Sequence, residues 1–187
     1  MLPSASRTRR LALALTVFTG FTGLVYEVTW QKYLATLLGS QSEATAAVLG
    51  IFLGGLAVGY WLFGNVTRRL LQHSRDTGTP ARLLATYGKL EIAIGAYALV
   101  FPLVFLAVQA LSLHLPHAVG GLGFAFDVVL AMLLMGPPAV LMGGTIPFLT
   151  QGLAQDLDDA TRIHSAVYGI NTAGAFAGAL AAGFVLI

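Results

Sequence analysis

The chain contains no cysteine among its 187 residues. Disulfides, thiolate zinc sites, iron–sulfur clusters and covalently attached c-type haem are therefore excluded. Charge is also scarce: 10% of residues are Asp, Glu, Lys or Arg, against roughly 25% in a soluble globular domain. The net charge is only +2, too little to suggest nucleic-acid binding. No strand followed by a glycine-rich turn and a later acidic residue, the arrangement that would cradle a nucleotide, is present. "GGLGF" at 120–124 is a weak look-alike.

What remains is apolar. Hydrophobic residues make up 57% of the chain and the mean hydropathy is +0.80. A membrane-crossing helix needs about 20 mostly apolar residues. Five stretches meet that condition, at about 11–38, 44–66, 83–113, 122–149 and 163–187. The expectation is an all-α integral membrane bundle forming one domain, with the lipid bilayer as its surroundings.

Basic residues near helix ends orient such a bundle. Arg7, Arg9 and Arg10 precede the first stretch, Arg68, Arg69, Arg75 and Arg82 lie between the second and third, and Arg162 opens the fifth. Lys32 is the one basic residue on the other side. The N-terminus is thus expected in the cytoplasm. "SRTRRLALAL" also resembles a signal peptide, but its apolar run is too long and no small-residue cleavage site follows. The closing "AAGFVLI" has no interfacial anchor and reads as the end of a fragment.

Ionisable residues inside membrane helices mark functional sites or helix contacts. Glu27 and Asp127 fall at similar depth toward the outer side and allow two readings. They line an outward-facing pocket for an organic cation such as a polyamine, or Glu27 is held by Asn171 or Tyr168 and locks helices together. Asp127 also suits the first turns of its helix, where the macrodipole favours a negative charge. Glu91, near Lys89, reads as a helix-end residue.

Tyr26, Trp30 and Tyr33 are spaced i, i+4, i+7 and share a face. They are expected to form an interfacial aromatic belt with Lys32 reaching outward. "MGPPAVLMGGTIP" interrupts the fourth helix with Pro137, Pro138, Gly143, Gly144 and Pro147. It reads either as a kink that aids packing or as a broken helix at a substrate site. Gly50 and Gly54, Gly55 and Gly59, and Gly174 and Gly178 have the small-xxx-small spacing of close helix contacts. Asn171 and Thr172 are expected to hydrogen-bond across the last of these. His73, His114, His117 and His164 all lie near helix ends or in turns, so no cofactor ligation within the bilayer is expected. His114 and His117 alone are too few for a metal site.

Five stretches resemble one family in order: "GFTGLVYEVTWQKYLATLLGS", "GIFLGGLAVGYWLFG", "YGKLEIAIGAYAL", "GPPAVLMGGTIPFLTQ" and "YGINTAGAFAGALAAGFVL". They are similar to the membrane half of the bacterial membrane-embedded spermidine-synthase-like proteins, in which a multi-helix domain often precedes a soluble aminopropyltransferase-like domain. Lys32 replaces the family's usual arginine, and the soluble part has no counterpart here. The resemblance implies a bacterial inner-membrane module without catalytic activity. The leading expectation is a scaffold or accessory subunit of a larger membrane assembly, with protein partners engaged through small-residue helix faces. The alternative is a transporter or sensor of an organic cation.

Overall fold

The computed structural model describes residues 3–38, 41–114 and 122–186. Five α-helices carry the described chain: α1 (Pro3–Leu38), α2 (Gln41–Thr77), α3 (Leu83–His114), α4 (Leu122–Leu153) and α5 (Leu157–Ala181). A π turn, Ala182–Leu186, continues α5. Each of the five is long and apolar enough to cross a membrane.

The helices run past the apolar stretches. α1 begins before its arginines, and α2 continues eleven residues beyond Val66 through "TRRLLQHSRDT". Arg, Leu and Gln are good helix formers, so a charged segment can prolong a helix into water. α2 stops at Gly78, whose φ of 70° lies in the left-handed region that glycine occupies without strain. Pro80 follows two residues later. α5 opens at Asp156, whose carboxylate accepts the Asp159 N–H at 2.7 Å, a side-chain N-cap.

Two parallel helix pairs and a central helix organise the bundle. α1 packs along α5, and α2 along α4, while α4 also touches α1, α3 and α5. Small residues make both pairs close. A Cβ added to Gly174 or Gly178 would strike the carbonyl oxygens of Val17 and Phe21, and one on Gly20 that of Asn171. In the second pair, Gly59 lies against the Val140 carbonyl, Gly143 against that of Leu56, and Gly55 against the Ala139 side chain. Gly50 and Gly54 do not join this contact. They share a sequence spacing with Gly55 and Gly59 but face away, with nothing within 4 Å of an added Cβ.

α4 is one unbroken helix despite its prolines. Four neighbouring helices touch it, and such burial in protein is the setting in which backbone groups left open by proline are tolerated. Thr172 bonds its own helix, donating to the Tyr168 carbonyl at 2.8 Å, so it does not bridge to α1.

The aromatic face of α1 turns inward. Trp30 is only 2% exposed. It stacks on Tyr26 (5.6 Å between ring centroids) and on Phe101 of α3 (4.9 Å), and Tyr33 meets Phe101 and Phe105 edge-on. This face is therefore a packing seam with α3. A period of i, i+4, i+7 marks one helix face whether lipid or protein covers it, which is why the belt and the seam read alike in sequence.

Candidate functional site

Helix polarity gathers all eight arginines at one end of the bundle, where α1, α3 and α5 begin and α2 ends. There Arg9 pairs with Asp159 at 3.2 Å, tying α1 to α5. From this basic end a cleft runs inward between α2 and α5, with α4 as its floor and α1, through Thr19, Gly20, Gly23 and Leu24, closing its inner part.

The cleft has two chambers. The inner one, about 490 Å³, is bounded by Leu56 and Tyr60 of α2, Gly143 and Thr145 of α4, and Tyr168 and Asn171 of α5. The outer one, about 580 Å³, lies at the basic end and is lined by Arg68, Gln72 and Arg75 of α2, Thr150 and Gln151 of α4, and His164 of α5. Tyr60 and His164 border both. Their rings meet edge-on at 6.4 Å across the cleft, and His164 also stacks on Tyr168 at 6.5 Å. These two side chains form the neck between the chambers.

The inner chamber has no Asp, Glu, Lys or Arg in its lining. Three threonine hydroxyls there are already engaged: Thr145 donates to the Met142 carbonyl at 2.7 Å, Thr172 to that of Tyr168, and Thr19 to that of Leu15 at 3.1 Å. The Asn171 amide, the His164 imidazole and the Tyr60 and Tyr168 rings are what the chamber offers a ligand. Such a mix of apolar wall and few polar groups is the usual character of a small-molecule site. The close pairs create the space: glycines draw α1 to α5 and α2 to α4, and the gap opens between the pairs.

The sequence candidates separate. Asn171 and Tyr168 line the inner chamber together, although Tyr168 is 60% exposed. Glu27 and Asp127 line neither chamber. Glu27 is half-buried on α1, one turn beyond Gly23 on the same face. Asp127 is 6% exposed and accepts the Ser112 hydroxyl at 2.6 Å. That bond joins α3 to α4, so the side chain is engaged in helix packing.

Glu91 departs from the helix-end expectation. It lies against Thr19 and Tyr87, whose hydroxyls are 3.2 Å apart. Its Oε1 is buried without a hydrogen-bond partner among the described residues. Lys89, two positions away, is exposed. His117 and the side chain of His114 lie outside the described residues. No group of three or more His, Asp or Glu suited to a metal occurs among the described residues.

Sequence reasoning missed the neck and the outer chamber. Tyr60, Arg68 and Arg75 lie on one α2 face at roughly heptad spacing, a signal hidden by treating the arginines as topology markers only. No family model, curated protein or solved structure matches the chain.

Proposed function

We propose that this chain is a multi-pass protein of a bacterial cytoplasmic membrane, with its N-terminus inside. It serves as a non-catalytic module that takes a small ligand into the cleft between α2, α4 and α5. The observation that carries this reading is the inner chamber, entered from the basic end through the Tyr60–His164 neck. Asn171 lies about 12 Å beyond Ile163 along α5, well inside a hydrocarbon core about 30 Å thick. An open space with a few polar groups on an apolar wall at that depth is where transporters and membrane sensors hold their ligands. The basic end is cytoplasmic by the positive-inside rule. The family resemblance of the five motifs supports the same placement in a bacterial inner membrane and a role within a larger assembly.

The polyamine version of this reading loses support from the geometry, because the two carboxylates it invoked do not meet in either chamber.

The absence of cysteine makes the test direct. Asn171→Cys and, as a lipid-facing control, Ile92→Cys (Ile92 is 74% exposed) are treated with a charged, membrane-impermeant thiol reagent in inverted and right-side-out vesicles. The expected result is labelling of Asn171→Cys from the cytoplasmic side and none of Ile92→Cys. Equal protection of both positions from both sides would refute a water-accessible chamber.

A further inference from the structure

We infer that the outer chamber is a binding site for a phosphate-bearing anion, with the headgroup of an anionic lipid as its main form. The inference rests on the cleft of the proposed function being a ligand site, and it names the chemistry at the cleft's basic end.

Arg68 and Arg75 are seven residues apart on α2 and both line the chamber, with Gln72 between them on the same face. Among the described residues, neither arginine has a carboxylate within ion-pair distance. The pair that does form is Arg9–Asp159, and Arg68 instead donates to the neutral Asn65 side chain at 2.9 Å. Two guanidinium groups facing one space, neither held in an ion pair among the described residues, leave a local positive field. Arginine's planar fork matches phosphate oxygens with paired hydrogen bonds.

A second, independent feature points into the same chamber. Thr150 is 5% exposed and lines it, yet its Oγ1 is buried with no hydrogen-bond partner among the described residues. Many other helical threonines bond their own backbone; Thr67, in the same lining, donates to the Phe63 carbonyl at 2.7 Å. A buried hydroxyl without a partner is costly unless a ligand or water completes it. Gln151 and the first turns of α5 at Ala160 and Thr161 close the far wall. The positive end of the α5 dipole adds to the field there.

Acidic groups nearby do not cancel this arrangement. Asp156 and Asp158 border an adjoining hollow that shares Arg75, Leu71 and Gln151 with the chamber. Asp156 is the cap of α5, and Asp159 is held by Arg9. The anion thus meets the chamber from the Arg68 side, and Arg75 bridges the two regions.

The continuity of the cleft favours a lipid. A headgroup in the outer chamber would place an acyl chain past Tyr60 toward the apolar wall of Leu56 and Phe52. Basic pockets between membrane helices on the cytoplasmic side are recurrent headgroup sites.

The test uses full-length protein purified in a neutral detergent. Thermal stability is followed as dioleoyl phosphatidate, dioleoyl phosphatidylcholine or inorganic phosphate is added, and bound lipid is counted by native mass spectrometry. Phosphatidate is expected to raise the midpoint and phosphatidylcholine to have little effect. Arg68→Gln and Arg75→Gln should each weaken the response about fivefold or more. Thr150→Val should weaken it too, while Arg69→Gln, a charge loss on another face of the same helix, should leave it unchanged. Arg68→Lys should recover part of the loss. If inorganic phosphate competes with phosphatidate and gives the same shift, the phosphate chemistry holds and the free anion is the ligand. A response to phosphatidylcholine equal to that for phosphatidate, or an equal loss in Arg69→Gln, would overturn the inference. Labelling of Asn171→Cys without phosphatidate selectivity removes the anion site alone, and selectivity without labelling removes the inner-chamber reading alone.

Discussion

The Tyr97 hydroxyl of α3 donates its hydrogen bond to the backbone carbonyl of Leu134 in α4. Leu134 is four residues before Pro138, so this is the carbonyl that Pro138, lacking an N–H, leaves open. A side chain from a neighbouring helix thus completes the backbone at the point where proline interrupts it. Such replacement is what permits proline inside a membrane helix.

The relationship predicts a non-additive pair of substitutions. Tyr97→Phe should destabilise the bundle by about 1 kcal/mol, the range for interhelical hydrogen bonds in membranes. In a Pro138→Ala background the new N–H satisfies Leu134, and the same Tyr97→Phe change should cost much less. A double-mutant cycle by SDS unfolding in bicelles measures the coupling. Additive costs would show that the hydroxyl and the proline are unrelated.

The two glycine contacts predict a contrast between positions that share a sequence motif. Gly59→Leu and Gly174→Leu each force a side chain into a neighbouring backbone carbonyl. Overpacking of this kind costs roughly 1–3 kcal/mol or more. Gly54→Leu meets nothing within 4 Å and should be neutral or mildly stabilising, since glycine is a poor helix residue by about 1 kcal/mol. Equal losses at Gly54 and Gly59 in the same unfolding assay would contradict the α2–α4 register.

Much of the architecture was legible in the sequence, and the reasons are physical. Five apolar runs of membrane length leave little freedom in how many helices form, and the arginines gather at one end because successive helices alternate in direction. Burial by protein was not legible. In helices of membrane length an apolar residue looks the same in sequence whether lipid or another helix covers it, so Trp30 reads as a belt and packs as a core. Gly50, Gly54, Gly55 and Gly59 likewise share one spacing while only the last two meet α4. Asn171 and Tyr168 were visible as polar residues in an apolar helix, and the structure puts both in the inner chamber. Arg68 and Arg75 were visible only as charges, because nothing local shows that α2 stays helical far enough to set both on one wall.

Asp127 supplies a prediction that separates packing from ligand binding. Its Oδ1 accepts the Ser112 hydroxyl, so Ser112→Ala and Asp127→Ala should each lower stability by about 1 kcal/mol. Together they should cost little more than either alone. Asp127→Asn keeps an acceptor oxygen and should cost less than Asp127→Ala. Isothermal titration with spermidine should be indifferent to all of them. Loss of a measurable spermidine signal in Asp127→Asn would restore the cation reading.

Trp30 and Trp61 give the sharpest test of which aromatics are buried. Both are tryptophans in membrane-length helices, but Trp30 stacks between Tyr26 and Phe101 while Trp61 is 69% exposed. Truncating a buried tryptophan in a water-soluble core costs about 3–5 kcal/mol. In lipid the transfer contribution falls away because acyl chains are as apolar as the core, and lost packing remains. Trp30→Ala should therefore cost about 2–3 kcal/mol, of which stacking with its neighbours accounts for roughly 1 kcal/mol. Trp61→Ala should change stability by less than about 0.5 kcal/mol, the ordinary range for an exposed position. Unfolding titrations of the two variants side by side decide the matter. If Trp61→Ala proves the more damaging, the α1–α3 seam is misassigned and the aromatic face of α1 belongs to the lipid interface after all.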